Sequence, residues 1–178
     1  HPIAHVMGYF ISILRERIAN FAAPRVAGAP DAIVAAALPG GDYIPAHSAV
    51  YPATGLGDAL SNIAQLIKNP TGLQVAAVDY GDWDMHVDLG AVDTGWMFDK
   101  LTELSGALSA FATDLGATAM NKVTVVTLTE FGRRAEENGS GGVDHGYGQA
   151  VFLMGGGIKG GQVHGAWPGL APADLIDG

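Results

Sequence analysis

Two strand-length runs, Leu73 to Val78 and Val123 to Leu128, each end abruptly in a cluster of oxygen and nitrogen donors. LQVAAVDY is continuously apolar, which predicts a strand buried on both faces, and KVTVVTLT is β-branched at most positions. Between them Met97, Leu101, Leu104, Leu108, Phe111 and Leu115 recur at helical spacing, with Asp93 or Thr94 as the expected cap. Strand, helix, strand is a βαβ unit. The expected fold is therefore α/β, a mainly parallel sheet with helices on both faces. Ligands in such sheets bind beyond the carboxyl ends of the strands, where both donor clusters lie.

The remaining elements are weaker. Residues 8–20 are expected to form a first helix, and a Pro-, Ala- and Gly-rich connection runs from Ala22 to Pro52. Leu56, Leu60, Ile63 and Ile67 predict a helix that Asn69, Pro70 and Gly72 stop, with Asp58 near its positive end. QAVFLMGG is a third candidate strand and QVHGAW a fourth. Residues 1–52 are read as a helix and connection, and 53–178 as the half-domain that carries the chemistry. The chain starts at His1 rather than Met, so it is expected to be a fragment or a processed product.

Composition narrows the function. Aspartate and glutamate number 18 against 9 lysines and arginines, a net charge of −9, which argues against nucleic acid or an anionic membrane as the main partner. It leaves phosphate or sulfate substrates open, because a bound divalent cation reverses the local field. There is no cysteine, hence no disulfide, thiolate nucleophile or zinc–thiolate site. HPIAHVMGYFISILRERI is interrupted by Arg15, Glu16 and Arg17 and is too short to span a membrane. Half of the 26 glycines lie between Gly132 and Gly169, a density that predicts long ordered loops.

Three clusters carry the candidate chemistry. The first is Asp82-Trp83-Asp84-Met85-His86. Asp84 and His86 share a face if this segment is extended, whereas Asp82 and His86 do so if it coils. Carboxylate with imidazole suits zinc, manganese or iron, and an all-oxygen set suits magnesium or calcium. The second is Thr129, Glu130, Arg133 and Arg134, where a strand-end carboxylate can hold a metal or act as a base and an arginine can bind a tetrahedral oxyanion. The third is GGVDHGYG, in which Asp144 and His145 splay apart, so that one ligates while the other fixes an imidazole tautomer. Each has a plain alternative, namely an acidic turn, a Glu130–arginine ion pair and an ordinary glycine turn.

GGGIKGG lacks the order of a phosphate loop and is read as a hairpin turn. Ser140 is a loop residue without a nucleophile-elbow context, and His5, His47 and His164 are read as structural.

The series GDWDMH, TEFGRRAEENGSGGVDHGYG and LMGGGIKGGQVHGAWPGL resembles the C-terminal half of the domain of unknown function 1501 family, over residues 50–170. Members of that family show GGWDTH, SEFGR, a GxDHG loop, GGxVKGG and a WPGL ending. The family is placed in the alkaline phosphatase and sulfatase superfamily, which implies a three-layer sandwich, of which this chain is a partial domain, with metal at the strand ends. The resemblance implies that Asp84 and His86 bind one divalent metal (Zn, Mn, Mg or Ca) and that Glu130 binds a second. His145 would close the first site beside Asp144, with Arg133 on the substrate anion. Glu130-Phe131 stands where the wider pattern has Asp-His, Asp82 where the family has Gly, and Met85 where it has Thr. The nucleophile of the superfamily lies in a segment with no counterpart in this chain. The resemblance further implies a hydrolase of phosphate or sulfate esters, exported to the envelope or secreted. The alternative is a non-catalytic, envelope-associated binding module, and a weaker one is an interaction domain built on Trp83, Trp96 and Trp167. Nothing in the residues specifies an oligomeric state.

Overall fold

A computed structural model describes residues 42–69 and 71–175. The expected helix at 8–20, and the connection up to residue 41, lie outside them. The described residues divide into two compact units, one of residues 42–44, 62–69 and 71–77, the other of residues 45–61 and 78–175. The second holds every candidate site residue.

The first described helix, α1, spans Gly55–Lys68. Its start is set by Thr54, whose Oγ1 accepts the Gly57 N–H at 3.3 Å, and Asp58 lies in its first turn. Leu56, Leu60 and Ala64, four residues apart, are its buried stripe. It ends where Asn69 Nδ2 and Thr71 Oγ1 take the carbonyls of Gln65 and Leu66, at 2.8 and 2.9 Å.

Helix α2, Trp96–Met120, carries the core of the second unit. Ala107, Ala110, Phe111, Asp114, Leu115 and Met120 are buried, spaced as one helical face. Neither Asp93 nor Thr94 caps it. Gly95 occupies the N-cap at φ 102° and makes no side-chain cap bond. The helix is interrupted at Gly116 (φ 62°, ψ 173°), where the His47 ring packs so close that a Cβ would meet it at 2.8 Å. His47 Nδ1 is 3.0 Å from the Thr113 carbonyl oxygen. The buried Asp114 carboxylate accepts the Ala46 N–H at 2.6 Å and the Tyr51 hydroxyl at 2.9 Å, fixing the 3-10 turn Ala46–Ser48 against α2.

The expected α/β sandwich with a mainly parallel sheet is not the observed architecture. The described residues hold two α-helices and two separate two-stranded antiparallel sheets. In one, β1 (Thr124–Val126) pairs with β4 (Leu153–Gly155), Val125 opposite Met154. In the other, β2 (Gly132–Glu137) pairs with β3 (Val143–Gly146), Arg133 opposite His145, with a register shift between Arg133 and Glu137.

The physical reason for the correction is partnership. Continuous apolarity marks a segment able to be buried on both faces, but a sheet needs an adjacent edge as well. Residues 73–79 are exposed and join no ladder, with Val75 at 54%. QVHGAW likewise forms no strand. β1 is only three residues long because the Thr127 hydroxyl, not a backbone carbonyl, accepts the Phe152 N–H at 2.9 Å.

Candidate metal centre

The Asp82–His86 segment is neither helix nor paired strand. Met85 is fully buried, while Asp84 and His86 on either side of it reach the surface from two tight backbone turns, Met85 N to Trp83 O and His86 N to Asp84 O, each at 3.0 Å. The segment is tied down at both ends. Tyr80 and Trp83 meet edge to face at 5.5 Å, and Lys100 Nζ of α2 lies 3.7 Å from the Tyr80 ring centroid. The Tyr80 hydroxyl donates to Glu103 Oε2 at 2.8 Å, and burial followed by that bond raises the Tyr80 pKa well above the ordinary tyrosine value. Beyond His86, Asp88 N and Leu89 N donate to the carbonyls of Ser140 and Gly141, at 3.2 and 2.7 Å, and Val143 N donates to Met85 O at 2.9 Å. These bonds lay the glycine-rich loop directly on the first cluster.

Glycine permits that approach. A Cβ on Gly142 would overlap the His86 carbonyl, and one on Gly146 would sit 2.6 Å from Arg134 N. The backbone that comes close is the protein's own.

Three ligand atoms then converge. His86 Nε2 lies 3.1 Å from Asp84 Oδ1 and 3.2 Å from His145 Nε2, and His145 Nε2 lies 3.4 Å from Asp84 Oδ1. With zinc–nitrogen bonds of about 2.0–2.1 Å, adjacent ligands of a tetrahedron stand ~3.3–3.4 Å apart, so this triangle has the dimensions of one tetrahedral face. His86 Nδ1 is 2.8 Å from Asp144 Oδ1. A proton on Nδ1 shared with that carboxylate leaves an Nε2 lone pair directed at the other two ligands. The donor set therefore fits a divalent cation, and two imidazoles with one carboxylate suit zinc, iron or manganese better than magnesium or calcium. The side chains of Asp84 and His145 are 73% and 52% exposed, which leaves one side of the triangle open to solvent.

The surrounding charges agree. Asp84 is held below the usual carboxylate range, chiefly by the Arg133 bond and then by that of His145. Asp144 is lowered by the His86 bond and then by that of Asn138.

The expected site residues separate into three groups. Asp84, His86 and His145 form the triangle. Asp144 stands behind it, on the far nitrogen of His86. Glu130 is exposed and lies outside the cluster. Arg133 is drawn inward, donating from Nη2 to Trp83 O at 2.7 Å and Asp84 Oδ1 at 3.1 Å, and from Nη1 to Val143 O at 2.9 Å. Asp82, the alternative partner of His86, adopts φ 62° and is not in the triangle.

Two contributors were not anticipated. The Phe131 ring lies on that of His145 at 3.9 Å between centroids. Asn138 bonds both His86 O and Asp144 Oδ1, at 2.9 and 3.0 Å. An asparagine opening the Asn-Gly-Ser-Gly-Gly turn was the available signal for the second, since its side chain commonly organises such turns.

A β-ribbon carrying arginine and histidine, laid on an acidic loop at the end of a helical core, defines the class: a mixed α and β protein with a candidate three-residue metal centre. The chain belongs to the family described as Protein of unknown function (DUF1501), whose model matches residues 62–177 and so spans all three clusters. No curated protein and no solved structure matches it. No helix among the described residues is long and apolar enough to cross a membrane.

Proposed function

We propose that this chain carries the metal centre of a metal-dependent hydrolase of the phosphatase/sulfatase type, acting on phosphate or sulfate esters. The observation that supports this most is the Asp84–His86–His145 triangle with Asp144 behind it and one side open. Structural metal sites are closed by four protein ligands, whereas catalytic ones keep a position for water or substrate. A bound divalent cation would supply polarisation of the ester oxygen. Asp84 and the two histidines would hold the cation, Asp144 would keep the His86 lone pair directed inward, and Arg133, bonded to Asp84, would add positive charge beside the centre. Kinship with alkaline phosphatases and sulfatases belongs to the same proposal and rests on the order of the motifs. Export to the envelope or beyond follows from that kinship.

A second reading, a binding module that retains one metal without catalysis, is favoured by the position of Glu130 outside the triangle. Elemental analysis of the dialysed protein beside His86→Ala and His145→Ala comes first. Near-stoichiometric zinc, iron or manganese, lost in both variants, is the expected result; its absence after metal loading sinks the metal centre. An ester panel on the loaded, native-length protein then separates the readings. Turnover lost with His86 supports the hydrolase, and metal without turnover supports the module.

A further inference from the structure

We infer that Asn138 is the positioning residue of this centre, aiming the His86 imidazole by fixing the carboxylate of Asp144; the inference rests on the metal reading above. The orientation of its amide is forced. Oδ1 accepts the N–H groups of Ser140 at 2.9 Å and Gly142 at 3.1 Å, so Nδ2 must face the two oxygens opposite. One Nδ2 hydrogen goes to the His86 carbonyl at 2.9 Å, the other to Asp144 Oδ1 at 3.0 Å. All four hydrogen-bonding positions of the amide are used.

A single nitrogen therefore grips His86 twice. It holds the backbone directly, and it holds the ring through the same Asp144 oxygen that receives His86 Nδ1 at 2.8 Å. The Asp144 side chain is 48% exposed. Released from Asn138, its carboxylate can turn toward water, and the imidazole then loses the partner that sets its tautomer and its angle. The two acceptor bonds serve a different purpose. They close the turn that sets Gly142 against His86. Aspartate at this position keeps both acceptor bonds but turns an oxygen toward two oxygens, which separates aiming from turn closure.

The test is zinc affinity, measured by competition with a chromogenic chelator on the whole chain, for wild type, Asn138→Asp, Asp144→Asn and the double variant. Metal-free thermal melting is followed in parallel. Added negative charge would by itself strengthen cation binding, so a fall in affinity in Asn138→Asp reports lost alignment. The expected result is a loss of ~10–100-fold in each single variant. The double variant should lose less than the product of the two single losses, because the Asn138–Asp144 bond is common to both changes. Unchanged or tighter binding in Asn138→Asp overturns the inference, as do losses that multiply in the double variant. A lowered melting temperature with intact affinity also overturns it and leaves Asn138 as a turn residue. No zinc binding by the wild type overturns the metal reading and this inference together.

Discussion

Gly142 rests on the backbone of His86 so closely that a Cβ there would overlap the His86 carbonyl. The contact carries the glycine loop, and with it His145, onto the Asp84–His86 segment. Gly142→Ala must push those two segments apart. It is expected to cost ~1–3 kcal/mol in urea unfolding and to weaken zinc binding as well. Gly139→Ala, three residues away in open space, should stay within ~0.5 kcal/mol. Equal behaviour of the two variants would mean that the close approach is not what builds the site.

Arg133 joins three segments through two backbone carbonyls and Asp84. A lysine lacks the planar fork that reaches two carbonyls at once. Arg133→Lys should therefore lower stability by ~1–3 kcal/mol, measured without metal or substrate. An arginine needed solely to greet a substrate anion would leave that stability untouched and alter only ester turnover.

Asp114 is fully buried and accepts bonds from Ala46 N and the Tyr51 hydroxyl. Alanine removes the carboxylate that both part-buried donors face, a loss of ~1–3 kcal/mol. Asparagine retains one acceptor oxygen and is expected to fall between. Circular-dichroism melts of the two variants give the ranking, and a harmless Asp114→Ala would contradict it.

Tyr80 supplies the pH dependence. Its folded pKa is raised by burial and by the Glu103 bond, while the unfolded residue titrates near the ordinary value of about 10. Above that value the unfolded chain has released a proton that the folded chain retains, so stability falls as pH climbs. Below it, both states are protonated and this group contributes no slope. Unfolding free energies between about pH 9 and 11.5 should decline less steeply in Tyr80→Phe than in wild type. Identical slopes would place the tyrosine in water.

Metal and acid should compete at the centre. Ligand binding requires neutral imidazoles and ionised carboxylates, so zinc affinity is expected to drop as pH falls below about 6. Chelator competition across about pH 5–8, where zinc must displace about one proton from each protonated histidine it binds, checks the direction. Affinity independent of pH would argue for a site without histidine.

The donor chemistry was readable along the chain because it is local. Asp84 and His86 are two residues apart and straddle a buried methionine, so few backbone bonds separate the two donors. The helical stripes of α1 and α2 are equally local: a period of 3.6 residues writes Leu56 and Leu60, or Phe111 and Leu115, onto one face, whereas Leu101 of the expected α2 stripe is exposed and Ala64, Ala107 and Asp114 are buried instead. Strand pairing is different in kind. LQVAAVDY reads as a central strand because apolarity measures what a segment could bury, and only a neighbour determines whether it does. Thr124–Val126 found its neighbour in Leu153–Gly155, a segment that runs the opposite way.

What the amino-acid order determined alone was therefore the donors, the two helices and a glycine-rich turn before Val143. Tertiary structure decided which donors meet. His145 reaches Asp84 and His86 across 59 or more residues of chain, because glycines without Cβ atoms let two backbones touch. Arg133 turned inward and Glu130 stayed outside for reasons that reside in the neighbouring segments. Hydrogen bonds between distant backbones set these positions, and no local pattern encodes the partner of a bond that spans the fold.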